Sequence, residues 1–141
     1  MLQTSSSANL VDRILGTKLE TAAELIHAVR VGLPVTTIDA LIGADRITTA
    51  EVDHVIVPRK TLANRKRIGT LTPDQSDRLL RVVRVIALAE ETFRSKDKAS
   101  IWLRRKTTAL TDQAPLDMLD TNEGAHQVEV LLGRIRHGLA A

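Results

Sequence analysis

Apolar side chains recur at three- and four-residue intervals along most of this chain, and strict alternation is almost absent, so the pattern predicts helices. Leu25, Ile26 and Val29 share a face behind Thr21-Ala22-Ala23-Glu24, which has the T-x-x-E capping form, and Gly32 with Pro34 closes that helix. A second helix starts near Thr36 or Thr37 and runs towards Asp45, with Ile38, Leu41 and Ile42 inward. Thr48 and Glu51 repeat the capping form, and Val52, Val55 and Ile56 make the stripe of a short helix. Val57-Pro58 stops it, because a residue before proline is pushed out of the helical region. A further helix runs from about Pro58 to Ile68 and ends at Gly69. Thr72-Pro73-Asp74-Gln75 combines a capping Thr, a Pro at the first helical position and a Gln that completes the box. The helix it opens should reach Phe93, roughly 30 Å at 1.5 Å per residue. Leu79, Leu80, Val82, Val83, Val85, Ile86 and Leu88 make it apolar around much of its circumference, as a central buried element would be. Arg78, Arg81 and Arg84 form its one cationic stripe. Beyond it, Ser95 caps a turn carrying Ile101, Trp102 and Leu103, residues 106–114 read as a polar loop, and Pro115–Leu119 reads as a short helical turn. The last helix, about Thr121 to His137, shows Val128, Leu131, Leu132 and Ile135 at core spacing. The only strand-like run, His54–Val57, is too short to count against an all-α fold.

The two short helices at 48–68, joined by a tight turn, have the form of a helix-turn-helix, whose second helix enters the major groove of DNA. With Leu62 facing the core, about 100° per residue turns Lys60, Asn64 and Arg67 away from it. Arg59 and Lys66 flank the buried side, within reach of phosphates, and Thr61, Arg65 and Ile68 lie on the other flank. Lys or Arg suits the acceptors of guanine and Asn suits adenine. Basic residues also release counterions from the phosphate backbone. A basic amphipathic helix that is merely solvated carries the same pattern.

Charge sharpens this reading. Residues 1–57 hold 4 basic and 7 acidic side chains (net −3), residues 58–106 hold 14 and 5 (net +9), and residues 107–141 hold 2 and 5 (net −3). A basic middle between acidic ends is the footprint of a polyanion met by one part of the molecule. With 141 residues the chain is one domain or two small helical modules sharing a core. There is no Cys, which excludes disulfide scaffolds, Cys-ligated zinc and thiol catalysis. Phe93 and Trp102 are the only aromatic residues, too few to stack successive bases of a single strand. Apolar runs such as Val85–Ala89 are far shorter than the roughly 18 residues of a membrane span. Met1–Ser7 is polar, without the basic-then-apolar order of a secretory signal, so a cytoplasmic protein is expected.

Nothing in the sequence reads as an enzyme. His27, His54, His126 and His137 are scattered, with no H-E-x-x-H, and the glycines form no phosphate loop. Asp117 and Asp120 fit a cap and a solvated charge, and Asp74 and Asp77 sit where a helix dipole favours them. Neither a metal nor a cofactor is expected.

Three ordered blocks carry a more specific signal: Val57-Pro58-Arg59-Lys60-Thr61-Leu62-Ala63-Asn64-Arg65-Lys66, then Leu71-Thr72-Pro73-Asp74-Gln75-Ser76-Asp77-Arg78-Leu79-Leu80-Arg81, then Ala87-Leu88-Ala89-Glu90-Glu91-Thr92-Phe93. They are followed by Ala114-Pro115-Leu116-Asp117-Met118-Leu119-Asp120-Thr121, Glu123-Gly124-Ala125, Leu131-Leu132-Gly133-Arg134-Ile135 and His137-Gly138. Over about residues 20–141 this succession resembles the Xre/MbcA/ParS-like antitoxins, partners of toxins that carry an Arg-Glu-Ser (RES) domain. Two departures stand out. The family usually has Gly where this chain has Arg94, and Pro-Asn with a Gly pair where it has residues 104–112.

The resemblance implies an Xre-like helix-turn-helix domain at 19–93, joined through the long helix to a small helical toxin-binding domain at 94–141, behind an N-terminal arm at 1–18. It implies an antitoxin that covers the active-site cleft of a RES toxin, a toxin that degrades NAD or transfers ADP-ribose. NAD then belongs to the partner and not to this chain. It also implies autoregulation through operator DNA and a homodimer within a larger hetero-oligomer. The DNA-facing residues would be Arg59, Lys60, Thr61, Asn64, Arg65, Lys66 and Arg67. In the last helix the apolar stripe is expected to be core. His126, Gln127, Val130, Arg134 and His137, with Gly138 and Leu139 in the tail, are expected to meet the toxin. The alternative is a stand-alone helix-turn-helix regulator whose C-terminal half only oligomerises. An exposed Trp102 would mark an interface; a covered one would anchor the C-terminal module.

Overall fold

The computed structural model describes residues 11–138 except 14, 17 and 20. Among them the fold is all-α: α1 (Ala22–Val31), α2 (Thr36–Gly43), α3 (Thr49–Val55), α4 (Arg59–Ile68), α5 (Pro73–Phe93), α6 (Lys96–Arg104), two 3₁₀ turns (Thr108–Leu110 and Pro115–Asp120) and α7 (Asn122–Arg136). The predicted caps are in place. Thr48 and Thr72 form full capping boxes with Glu51 and Gln75, and Thr21, Ser95 and Thr121 each accept a backbone N–H of the first turn. Pro58 has no hydrogen-bonding side chain to cap α4. Asp53, from the preceding helix, accepts the N–H of Arg59 at 2.6 Å instead.

The core is organised around α5, on which Ser76, Leu79, Leu80, Val82, Val83, Val85, Ile86, Ala87 and Ala89 are all buried. It packs against α1, α6, α7 and the second 3₁₀ turn. Burying a Val, Leu or Ile side chain stabilises the fold by about 1.5–3 kcal/mol, so this helix is the largest single source of cohesion. Ser76 is the polar member of the set, and its Oγ accepts the N–H of Leu33 at 2.8 Å. That bond belongs to a small clasp. Val35 donates to the carbonyl of Gly69, and Leu71 donates to that of Leu33. Gly32, at φ +107°, lies so close to the Leu71 carbonyl that a Cβ would strike it. The clasp ties the α1–α2 junction to the end of α4.

Several expectations need correction. Ile26 is half exposed, not inward, because among the described residues α1 meets the core along Leu25, Ala28 and Val29. The supposed polar loop at 106–114 contains the turn Thr108–Leu110, a bridge between Thr107 and Gln113, and buried Leu110. Arg81 does not belong to a solvated stripe: it reaches across to the C-terminal segment. In the segment read as an N-terminal arm, Leu15 is buried in the core and Val11 packs against it. Trp102 is half-buried and tilted against Phe93, ring centroids 5.5 Å apart, so it joins α6 to α5.

The α5–α6 junction bears on the Gly that the resemblance leads one to expect at position 94. Arg94 ends α5 in the left-handed region (φ 51°, ψ 35°), where a Cβ is unfavourable and Gly is at ease. Arg94→Gly is expected to stabilise the chain by about 1 kcal/mol. The check is a higher midpoint of urea unfolding with an unchanged slope. A lower midpoint would show that the guanidinium contributes more than the backbone costs.

Candidate DNA-binding helix and partner-binding surface

The first site is the outer face of α4. Leu62 is its only buried residue, and Lys60, Ala63, Asn64, Arg67 and Ile68 are exposed along the rest of its surface. The wheel therefore holds for Lys60, Asn64 and Arg67. The side chains of Asn64 and Arg67 are also joined, with Arg67 Nη2 donating to Asn64 Oδ1 at 2.8 Å. Arg59 is exposed at the N-terminal end, and Thr61 is half-buried on the flank. Arg65 is partly committed, because its Nε donates to the Thr70 carbonyl at 2.7 Å and secures the turn after α4. Lys66 lies 3.9 Å from Asp39, an exposed pair whose strength is small. The arrangement is a cationic rod that touches its own chain along a narrow seam and offers Lys, Asn and Arg on its open side. Those donors and acceptors match base edges and phosphates of duplex DNA.

The second site is the outer face of α7. Val128, Leu131 and Leu132 are buried, and Ile135 packs partly against the core, as the spacing predicts. His126, Gln127, Val130, Arg134, His137 and Gly138 are all exposed and follow one another along the open side of the helix. Leu139 lies outside the described residues. Gln127 Nε2 donates to Glu123 Oε1 at 3.1 Å, which extends the polar rim around Val130.

What sequence reasoning missed is the set of arginines that hold the two sites in one frame. Arg81 on α5 donates through Nε to the carbonyl of Leu119 at 3.1 Å and through Nη2 to that of Asp120 at 3.4 Å, and its Nη1 meets Asn122 Oδ1. It thus closes the end of the 3₁₀ turn and fixes the start of α7. Directly beside it, a Cβ on Gly124 would collide with the Met118 carbonyl, so α7 begins in tight contact with that turn. Arg104 grips Glu51 with two bonds, at 2.9 and 2.8 Å, and Arg46 grips Glu90 with two, at 3.0 and 3.2 Å. Arg136 pairs with Glu91 at 2.9 Å. The signal for Glu51 was legible only as a cap; its partner stands 53 positions away.

Comparison with known proteins follows this division. Residues 24–84 match the antitoxin Xre-like helix-turn-helix domain, and residues 88–138 match the antitoxin Xre/MbcA/ParS C-terminal toxin-binding domain. The two matches meet inside α5. The chain is similar to a protein named Antitoxin Xre from Yersinia enterocolitica, with 31% identity over 130 residues, 90% of this chain and 88% of that one. It is similar to an Antitoxin Xre from Photorhabdus laumondii, with 32% identity over 137 residues, 95% and 93% of the two chains. A third, from Pseudomonas putida, is 39% identical over 93 residues, 65% of this chain and 58% of its own.

The arginine frame makes a prediction. Arg81→Ala leaves the carbonyl of buried Leu119 without its donor and should cost about 1–3 kcal/mol. Hydrogen exchange is expected to speed up first in residues 119–125. Uniform exchange across α7 and unchanged stability would show that water replaces the guanidinium.

Proposed function

The chain belongs to the Xre antitoxins, and from that premise we propose that it neutralises a RES-domain toxin through α7 and binds operator DNA through α4. The observation that carries the reading is the pairing of two open surfaces of different chemistry on one core. One is a cationic helix with Lys60, Asn64 and Arg67 outward; the other is a helix that shows an exposed Val130 within a polar rim.

On the DNA side, α3 and α4 are the two helices of the helix-turn-helix, and α4 enters the major groove. Lys60, Asn64 and Arg67 address base edges. Arg59, Thr61, Lys66 and the remaining donors of Arg65 position the helix on phosphates. Toxin control falls to His126, Gln127, Val130, Arg134, His137 and Gly138, which cover the approach to the toxin's NAD cleft. The chain needs no cofactor of its own and performs binding, not turnover; NAD is the toxin's substrate. The working unit is a homodimer of this chain within a hetero-oligomer in the cytoplasm, and its DNA binding represses its own promoter. Among the described residues no helix is long and apolar enough to cross a membrane.

The first test is co-expression with the toxin encoded beside the gene: growth and NAD levels should be preserved. Undiminished NAD loss would end the antitoxin reading. Surface variants then separate the two roles. Lys60→Ala and Arg67→Ala should each weaken operator binding by about 1–3 kcal/mol and leave toxin neutralisation intact. Val130→Glu with Arg134→Glu should release the toxin and leave DNA binding intact. They are better probes than truncating the helix, because Ile135 and Arg136 also hold α7 to the core. Loss of both activities in either pair would place these residues in folding rather than in recognition.

A further inference from the structure

The C-terminal end of α6 carries three consecutive cations, Arg104, Arg105 and Lys106, and their side chains separate. Arg104 turns towards the helix-turn-helix. It forks onto Glu51 at 2.9 and 2.8 Å, and its Nη2 also donates to the carbonyl of Arg46 at 3.4 Å. Arg105 leaves the helix with extended backbone (φ −89°, ψ 126°), and the side chains of Arg105 and Lys106 are exposed. Among the described residues neither of these two side chains forms a hydrogen bond or an ion pair. The bridge between Thr107 and Gln113 limits where the chain can move immediately afterwards.

Arg104 thus acts as a tether that holds two uncommitted cations at the N-terminal end of α3. In a helix-turn-helix the first helix crosses the sugar–phosphate backbone while the second enters the groove. On the DNA-binding reading, a loop pinned to the start of α3 would lie along the strand that borders the groove entered by α4. Electrostatics favours the same placement. Glu51 is a carboxylate that would repel DNA at this end, and Arg104 neutralises it; exposed Asp112, across the bridge from Thr107, is set against the two cations. The basic run from 58 to 106 then includes two exposed cationic zones, α4 and this loop, joined through the buried helix α5.

We propose that Arg105 and Lys106, although they lie in the half matched to toxin binding, hold phosphates of duplex DNA outside the groove occupied by α4. The proposal rests on the DNA-binding reading above and extends its footprint across both halves of the chain. These contacts add affinity without sequence information, because phosphates are the same at every step.

The test uses the full chain and a short fluorescein-labelled duplex, followed by anisotropy between about 50 and 200 mM salt. In the double variant Arg105→Ala with Lys106→Ala, the plot of log affinity against log salt should become shallower by about 1–2, near 0.9 for each phosphate no longer neutralised. Binding should weaken on specific and unrelated duplexes alike. The charge-preserving pair Arg105→Lys with Lys106→Arg should restore the parent slope. An unchanged slope and affinity in the alanine pair, while Lys60→Ala still weakens binding, would overturn this proposal and leave the α4 assignment standing. Failure of the charge-preserving pair to restore the slope, together with a lowered thermal midpoint, would overturn it by assigning the two residues to folding. A parent chain with no salt-dependent DNA binding would overturn both readings.

Discussion

Burial of most of the circumference of α5 is the constraint from which the architecture follows. A helix that hides nine residues cannot be covered by the helix-turn-helix alone or by the C-terminal helices alone. Each half supplies a wall, and the buried side chains of both halves belong to one continuous cluster. The two family matches meet within this helix, so the functional division of the chain is not a division of its hydrophobic core. A seam through the centre would expose Leu79, Val83 and Ile86 to water, each at about 1.5–3 kcal/mol.

Around that apolar centre the halves are fixed by arginines on carboxylates and carbonyls. Arg46 with Glu90, Arg104 with Glu51, and Arg81 with the carbonyls of Leu119 and Asp120 are multiple-bond contacts, in which the planar guanidinium sets angle as well as distance. Hydrophobic burial is non-directional and would tolerate sliding of α7 or α6 over α5. The forks remove that freedom. The position of α7 relative to α4 is thereby defined, and the two exposed helix faces are carried on one core. Three basic residues of the middle segment, Arg65, Arg81 and Arg104, are turned to internal acceptors, and the others are exposed.

Much of the fold was legible in the sequence because caps and helix periodicity are local effects. Thr48 with Glu51 and Thr72 with Gln75 act across three residues, and the stripe of Val128, Leu131 and Leu132 repeats within one helix. The outward direction of Lys60, Asn64 and Arg67 follows from one buried neighbour, Leu62, and a fixed angle per residue. Where the reading missed, the deciding partner was distant. Ile26 carries the right spacing for a core position, but α1 touches the body along a narrower line. Leu110 is a lone apolar residue in a polar stretch, and periodicity gives no weight to a single anchor. Ser76 looks like a solvated position until Leu33, 43 residues earlier, supplies the N–H that its hydroxyl accepts.

The sequence alone determined the main α-helices, the basic helix with its outward residues, and the family resemblance. All three depend on short-range periodicity or on the order of residues along the chain. The tertiary structure alone decided which cations are occupied and which stand open. Arg81 and Arg104 are spent on carbonyls and carboxylates of distant segments and Arg65 on the carbonyl of Thr70 just beyond its own helix, whereas Lys60, Arg105 and Lys106 project from the surface. Every arginine has the same charge and reach in the sequence. What separates them is whether folding brings an acceptor within about 3 Å of the guanidinium, and that depends on how distant segments pack.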